Sequence, residues 1–283
     1  MENHGCAFAE VEDPRPKNIE ELSAMIGKRR DSVTKYTSRD YMTFIDKARE
    51  EHEIERFDDV LLAIYRDKDN MMSGPDMETR CHEQLEDLER LTECLIRASP
   101  DMYDGAKDGT LNADILQKLR PVLQTEHDGG PVLPNFFFDC TEAEGRKSVG
   151  KLQALHSGVY GARAFHRLQC FLQGEGAPPI YDGNAYTIAV AMVGYHMCFY
   201  CVAPVSPTNP SRETDYKMWL VHEIDMKRGY KHFLSGVSAF KNCREWAHQQ
   251  RNRLISEAND AGRRKRKYSE DESQGSQNKV RRV

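Results

Sequence analysis

Short apolar pieces at helical spacing recur through the first seventy residues of the chain. They cover residues 19–26, 41–48 and 60–65, and runs of charge separate them, which predicts a helical N-terminal extension over residues 1–70. Residues 66–75 are charged and end in Gly-Pro, a pattern typical of a linker. We therefore expect a domain boundary near residue 70. The pattern leaves open whether the extension is a packed layer, a partner-binding arm or a partly disordered segment.

Helix and strand patterns alternate in the next part of the chain. Apolar residues at helical spacing from Met77 to Leu95 predict a helix. A short helix is expected between Asn112, a favourable N-cap, and Pro121, which should stop it. Residues 135–141 are short, strongly apolar and bounded by turn residues, which predicts a central strand with Asp139 and Thr141 on one face.

The remaining periodic segments complete a mixed pattern. Residues 147–172 predict a long helix that is rich in small residues, and residues 232–258 predict an amphipathic helix. Between them, residues 185–204 read as a hairpin and residues 216–224 as a further strand. The order helix, strand, helix, strands, helix predicts one mixed α/β domain over residues 71–260.

The segment 185–205 carries no formal charge and is roughly as long as a membrane span. Its β-branched and aromatic residues favour strands, and Gly194-Tyr195-His196 interrupts it where a hairpin would turn. We therefore expect two buried strands and no association with a membrane.

Charge is distributed unevenly along the chain. The whole sequence has 40 Lys and Arg against 45 Asp and Glu, a formal net charge of −5. Residues 261–283 form a basic tail of low apolar content, which is expected to be disordered. The body is correspondingly more acidic, which disfavours tight nonspecific binding to duplex DNA, because that affinity comes largely from cations that neutralise phosphates.

The basic tail has the spacing of a bipartite nuclear import signal. RRKRK at 263–267 is followed, after eleven residues, by KVRR at 279–282. A nucleic-acid-binding tail and a solubility tail are the alternatives. Ser269 precedes Glu270-Asp271-Glu272, which looks like an acidic-directed kinase site whose phosphorylation would weaken the signal. The basic residues are Arg263, Arg264, Lys265, Arg266, Lys267, Lys279, Arg281 and Arg282.

The N-terminus lacks the charged-then-apolar pattern of a secretory signal. Together with the tail, this predicts an intracellular, nuclear protein with an import receptor as a partner.

Five motifs follow one another over roughly residues 75–260. They are PDMYDGA (100–106), PNFFFDCTEAEG (134–145), KLQALHSGVYGAR (151–163), DGNAYTIAV (182–190) and SAFKNCREWAHQQRNRLISEAN (238–259). In type and order they resemble the PD-(D/E)xK nuclease-like superfamily, and most closely a functionally uncharacterised group of fungal proteins with this type of domain. The resemblance implies a restriction-endonuclease-like α/β core, in which helices flank a mixed central sheet.

The resemblance also implies a metal site with a known division of roles. Two carboxylates hold Mg²⁺ or Mn²⁺, and a lysine two residues after the second carboxylate stabilises charge on the phosphate. Asp101 and Asp139 occupy the acidic positions, and Glu78 lies where the superfamily often has an additional acid on a helix. Thr141 stands at the lysine position, and its short neutral hydroxyl cannot replace an ammonium group. The expected result is a catalytically impaired nuclease-like protein that binds nucleic acid or a basic nuclear protein.

An active metal-dependent DNA or RNA endonuclease is the alternative. It would need a relocated lysine, for which Lys147 and Lys151 on the following helix are the candidates, although lysines four apart are also typical of a solvated helix face. Gln153 matches a glutamine that related families place near the site. The sequence gives no indication of the oligomeric state.

Overall fold

The computed structural model describes residues 1–47, 53–66, 74–92, 96–126, 129–141, 147–174 and 176–280. The strands are β1 (Cys6–Phe8), β2 (Met77–Cys81), β3 (Met102–Ala106), β4 (Val132–Thr141), β5 (Thr187–Val193), β6 (His196–Val205) and β7 (Asp215–Asp225). The helices are α1 (Ile19–Gly27), α2 (Ser38–Lys47), α3 (Glu53–Tyr65), α4 (Ala113–Leu123), α5 (Lys147–Gln173) and α6 (Tyr230–Val280).

The strands form one seven-stranded mixed sheet in the order β1-β7-β6-β5-β4-β3-β2. The pairs β4–β5 and β1–β7 are parallel, and the other neighbours are antiparallel. Helix α5 connects the parallel strands β4 and β5, as such a crossover requires. The predicted α/β class, the central strand, the long helix and the hairpin are confirmed.

Helix α5 covers one face of the sheet at very short range. A Cβ atom at Gly158 would lie 2.6 Å from Val202 Cγ2, and one at Gly161 would lie 2.6 Å from the Phe137 ring and 2.8 Å from the Pro134 carbonyl. Only glycine permits this approach, because real Cβ contacts are not this short. The small residues of the sequence motif therefore set the distance between α5 and the sheet.

Helix α6 and the N-terminal helices cover the opposite face. Leu22 of α1, Phe44 of α2 and Phe57 of α3 are fully buried in the same apolar cluster as Phe138 of β4 and Phe240 of α6. The N-terminal extension thus packs as a layer on the shared core. The predicted boundary near residue 70 falls outside the described residues.

The predicted helix from Met77 to Leu95 is wrong. Residues 77–81 form the edge strand β2, paired antiparallel with β3, and an irregular segment follows. The apolar residues of this stretch pack in two places: Cys81 contacts the main core, whereas Leu85 and Leu88 join a separate cluster with Tyr103. Pairing with a distant strand overrides the local periodicity.

Two helix ends also differ from the expectation. Asn112 caps α4 as predicted, since its side chain accepts from the backbone N–H groups of Asp114 and Ile115, but Pro121 lies inside the helix, which ends at Leu123. The backbone of α6 continues past residue 258 to Val280. The side chains of residues 265–280 lie outside the described ones, so the disordered tail stays a prediction.

Candidate functional site

Asp101 and Asp139 lie next to each other at the carboxyl end of β4. Strand β3 starts directly after Asp101, and its register pairs Met102 with Phe138. The backbone N–H of Cys140 donates to Asp101 Oδ2 at 2.6 Å, and Asp139 is only 3% exposed. The structure therefore brings together the two carboxylates of the sequence motif.

His82 lies at the same end of the sheet as the two carboxylates. Its Nδ1 lies 3.7 Å from Asp101 Oδ1, and its backbone N–H donates to the Asp101 carbonyl at 2.9 Å. It has a φ of +56° and its ring packs edge-on against Phe57. A positive φ is uncommon outside glycine and is found enriched at functional sites. Sequence reasoning missed His82 because it assigned the residue to a helix.

Thr141 is buried at the position that the motif reserves for lysine. Its hydroxyl donates to the Met192 carbonyl at 3.4 Å. The first turns of α5 cover it, since a Cβ atom at Gly150 would lie 3.4 Å from Thr141 Cγ2 and 2.7 Å from Val193 Cγ2. A long cationic side chain at position 141 would have to displace this helix.

The two candidate lysines are engaged elsewhere. Lys147 Nζ donates to Glu223 Oε1 of β7 at 3.2 Å, and Lys151 Nζ lies 4.0 Å from the ring centre of Phe8 in β1. Strand β7 is three strands away from β4, which is about 14 Å at the usual spacing. The structure does not bring these lysines to the acid pair, and Gln153 is an exposed residue of α5.

Glu78 lies on a strand, which corrects its expected place on a helix. It pairs with Gly105 of β3, four residues beyond Asp101, so the two positions are separated by about 13 Å along the strand. Its carboxylate binds Arg80 Nη2 at 2.7 Å. Glu78 therefore does not join Asp101 and Asp139.

The acid pair offers few ligands for the implied metal ion. No group of three or more His, Cys, Asp or Glu residues suited to a metal ion occurs among the described residues. Mg²⁺, however, is commonly held by one or two carboxylates and completes its octahedron with water and phosphate oxygens. Asp101 and Asp139 fit this limited role, and the chain supplies no third described ligand.

A buried ionic network lies on the other face of the same strands. Arg244 of α6 binds Asp104 of β3 through Nε at 2.5 Å and Nη2 at 2.8 Å, and Thr79 of β2 donates to the same carboxylate at 2.6 Å. Arg251 is fully buried and donates to Asn135 Oδ1 at 2.5 Å. Sequence reasoning missed this network, because it treated the inner face of α6 as an apolar stripe.

The described part of the basic tail begins on the outside of α6. Arg263 and Arg264 are exposed, and Arg263 pairs with Asp260 at 2.8 Å. Lys265, Arg266, Lys267, Ser269 and Lys279 lie on the helix backbone, and their side chains are outside the described ones. Arg281 and Arg282 lie outside the described residues altogether.

Comparison with protein-family models, with curated proteins and with solved structures finds no match to this chain. Among the described helices, none combines the length and the apolar character that crossing a membrane would require.

Proposed function

We propose that this chain is a catalytically impaired PD-(D/E)xK nuclease-like protein that binds nucleic acid in the nucleus through a metal ion at Asp101 and Asp139. The observation that carries the proposal is the state of the lysine position. Thr141 occupies it under Gly150 of α5, and the two lysines that could have replaced it contact β7 and β1. A site of this kind keeps its carboxylates and lacks the cation that the reaction needs.

A bound metal ion would reconcile the acidic body with a nucleic-acid ligand. Two adjacent carboxylates repel phosphate, but a divalent cation that they hold binds phosphate oxygens directly. When bound, Mg²⁺ would supply a Lewis acid for a phosphate group. The protein would contribute the carboxylates of Asp139 in β4 and of Asp101, directly before β3, and the backbone N–H of Cys140 donates to Asp101.

The first experiment measures metal binding by thermal unfolding with Mg²⁺ or Mn²⁺. The proposal predicts that millimolar metal raises the Tm and that Asp139→Asn abolishes the increase, because a ligand stabilises the state that binds it. Glu78→Gln is the matched control, since the same resemblance names Glu78 but the structure places it about 13 Å away along β3. An unchanged Tm in wild type would remove the metal site.

The second experiment separates binding from cleavage. Labelled single- and double-stranded DNA and RNA are incubated with metal and with wild type or Asp139→Ala. We expect metal-dependent binding by wild type without cleavage, and loss of binding in Asp139→Ala. Cleavage by wild type that Asp139→Ala abolishes would establish an active nuclease and overturn the impaired state. Metal binding without affinity for any of these nucleic acids would favour a protein ligand, such as a basic nuclear protein.

Nuclear import is tested separately with a fluorescent fusion. Replacing Arg263, Arg264, Lys265, Arg266 and Lys267 by glutamine should disperse the fusion into the cytoplasm, because an import receptor reads the clustered charge. Ser269→Glu should weaken nuclear accumulation in the same direction. Unchanged localisation of the glutamine variant would refute the import signal and leave the acid pair unaffected.

A further inference from the structure

A cleft of about 760 Å³ lies between the second half of α5, the first residues of the chain and the connection from β6 to β7. Its volume falls within the range of small-molecule sites. Arg163, at one wall, is thirteen residues along α5 from Gly150, the residue that covers Thr141, which is roughly 20 Å at the helical rise. The cleft is therefore a separate place from the acid pair.

Three arginines from two elements line this cleft. Arg163 and Arg167 project from α5, and Arg212 comes from the connection between β6 and β7. Glu213 is the one carboxylate among the described residues of the lining. The lining itself therefore holds three guanidinium groups and one carboxylate, and two further carboxylates, Glu89 and Asp215, pair with Arg163 and Arg212 just outside it.

Two of these arginines are held in place by acidic residues outside the cleft lining. Arg163 donates to the backbone carbonyl of Glu89 at 2.9 Å and to the Glu89 carboxylate, and Arg212 donates to Asp215 through Nε at 2.6 Å and Nη2 at 2.9 Å. Neither Glu89 nor Asp215 belongs to the described lining of the cleft. Guanidinium groups fixed in this way lose little conformational freedom when a ligand binds.

The partner of Arg212 stays ionised at every physiological pH. The hydrogen bonds from Arg212 are the largest cause that lowers the pKa of Asp215 to about 2. The hydrogen bonds to Asp215 come from Nε and Nη2 of Arg212, so the two N–H groups of Nη1 take no part in this ion pair. A guanidinium carries five N–H donors, so an anchored arginine still has donors for an anion.

The third arginine has a partner that an anion can displace. Arg167 Nη2 lies 2.9 Å from Glu213 Oε2, and the side chain of Glu213 is 78% exposed. Ion pairs between exposed side chains are weak, because water screens them and both side chains lose freedom. A more highly charged anion can therefore take the place of Glu213 at Arg167.

The three positive charges act on the same small space. Burial raises the pKa of the Cys6 thiol to about 11; the N-terminal ammonium, Arg163 and Arg212 oppose this increase, and Asp215 adds to it. Burial also raises the pKa of Tyr216, and Arg163 and Arg167 counteract it. Since Cys6 and Tyr216 both line the cleft, the guanidinium charges converge there.

We propose that this cleft binds a small phosphate monoester of nucleotide size. Guanidinium groups pair with phosphate oxygens in a bidentate, charge-assisted geometry, which makes phosphate the anion that three arginines suit best. A polymer of nucleic acid would need a longer groove that follows several phosphates. The proposal is independent of the metal site at Asp101 and Asp139.

The test is calorimetric titration of the full chain with inorganic phosphate, with adenosine 5′-monophosphate and with adenosine. We expect both phosphate probes to bind and adenosine to fail. Tighter binding of the nucleotide than of inorganic phosphate would show that the cleft also contacts the organic part. Equal affinity of the two probes would contradict a site of nucleotide size and leave an inorganic phosphate site.

Three variants locate the binding. Arg167→Gln should weaken binding about tenfold by removing a charge-assisted contact, and Glu213→Gln should tighten it by removing the competing carboxylate. Arg228→Gln is the matched control, because Arg228 is also an exposed arginine paired with a carboxylate, that of Asp225, but follows the far end of β7. The proposal is overturned if no heat is measured at about 10 mM of either phosphate probe, or if Arg167→Gln and Arg228→Gln bind alike.

Discussion

Asp104 in β3 and Asp101 directly before it are three residues apart and have opposite surroundings. Asp104 points to the α6 face, where Arg244 and Thr79 meet it with three hydrogen bonds. Asp101 stands at the end of the strand beside Asp139, where a backbone N–H and a half-exposed His82 contact it. The first carboxylate is enclosed by side chains of the protein, whereas the second faces an edge that solvent reaches.

The difference separates an ion pair that the protein encloses completely from a carboxylate that solvent partly reaches. A buried ion is costly unless good hydrogen bonds satisfy it, and Asp104 and Arg244 meet that condition. The Asp101 side chain is 20% exposed, whereas the Asp104 side chain is 1% exposed, and the resemblance to PD-(D/E)xK nucleases leads one to expect a lysine where Thr141 stands. We infer that the network under α6 is structural and that the acid pair is the place to look for function.

The largest loss of stability is expected from Arg244→Met. This change leaves Asp104 buried without its guanidinium partner, which typically costs about 3–5 kcal/mol of unfolding free energy. Chemical denaturation followed by circular dichroism measures it. Arg253→Met is the control, because Arg253 is an exposed arginine of the same helix, paired with Glu257, and should change stability by less than about 1 kcal/mol. Equal losses in the two variants would contradict a structural role for the network.

A smaller loss of unfolding free energy is expected from Gly150→Ala, in the part of α5 that covers Thr141. The new Cβ atom would lie 2.7 Å from Val193 Cγ2, and overpacking of this kind costs about 1–3 kcal/mol. Gly27→Ala is the matched control, since Gly27 also lies in a helix but a Cβ atom there meets nothing within 4 Å. If both glycines tolerate alanine equally in a denaturation experiment, α5 does not close over Thr141 as tightly as the distances indicate.

Only the local features of these two regions could be predicted from the sequence. The apolar run of β4 and its period of two place Asp139 and Thr141 on one face. The small residues of α5 indicate that this helix packs closely on the sheet. The pairing of β2 with β3 could not be predicted, because it depends on residues about 25 apart rather than on local periodicity.

The same limit explains what sequence reasoning missed at the site. His82 reaches Asp101 only because β2 pairs with β3, and Arg244 reaches Asp104 across 140 positions. The directions of Lys147 and Lys151 depend on the strand order, which puts β7 and β1 on the far side of α5 from the acid pair. The motifs indicated the acidic residues, and only the topology shows which side chains contact them.

The smallest change in stability is expected from Lys147→Gln and Lys151→Gln, singly and together. Lys147 forms an exposed ion pair with Glu223, and Lys151 lies over the Phe8 ring, and each contact is worth about 1 kcal/mol or less. Because both side chains point away from Asp139, the Tm increase on adding Mg²⁺ and the binding of nucleic acid should match wild type. Asp139→Asn, run beside them, should lose both responses. A lysine variant that loses metal-dependent binding while its stability stays intact would show that its cation does reach the acid pair. The contrast between Asp104 and Asp101 would then no longer separate structure from function.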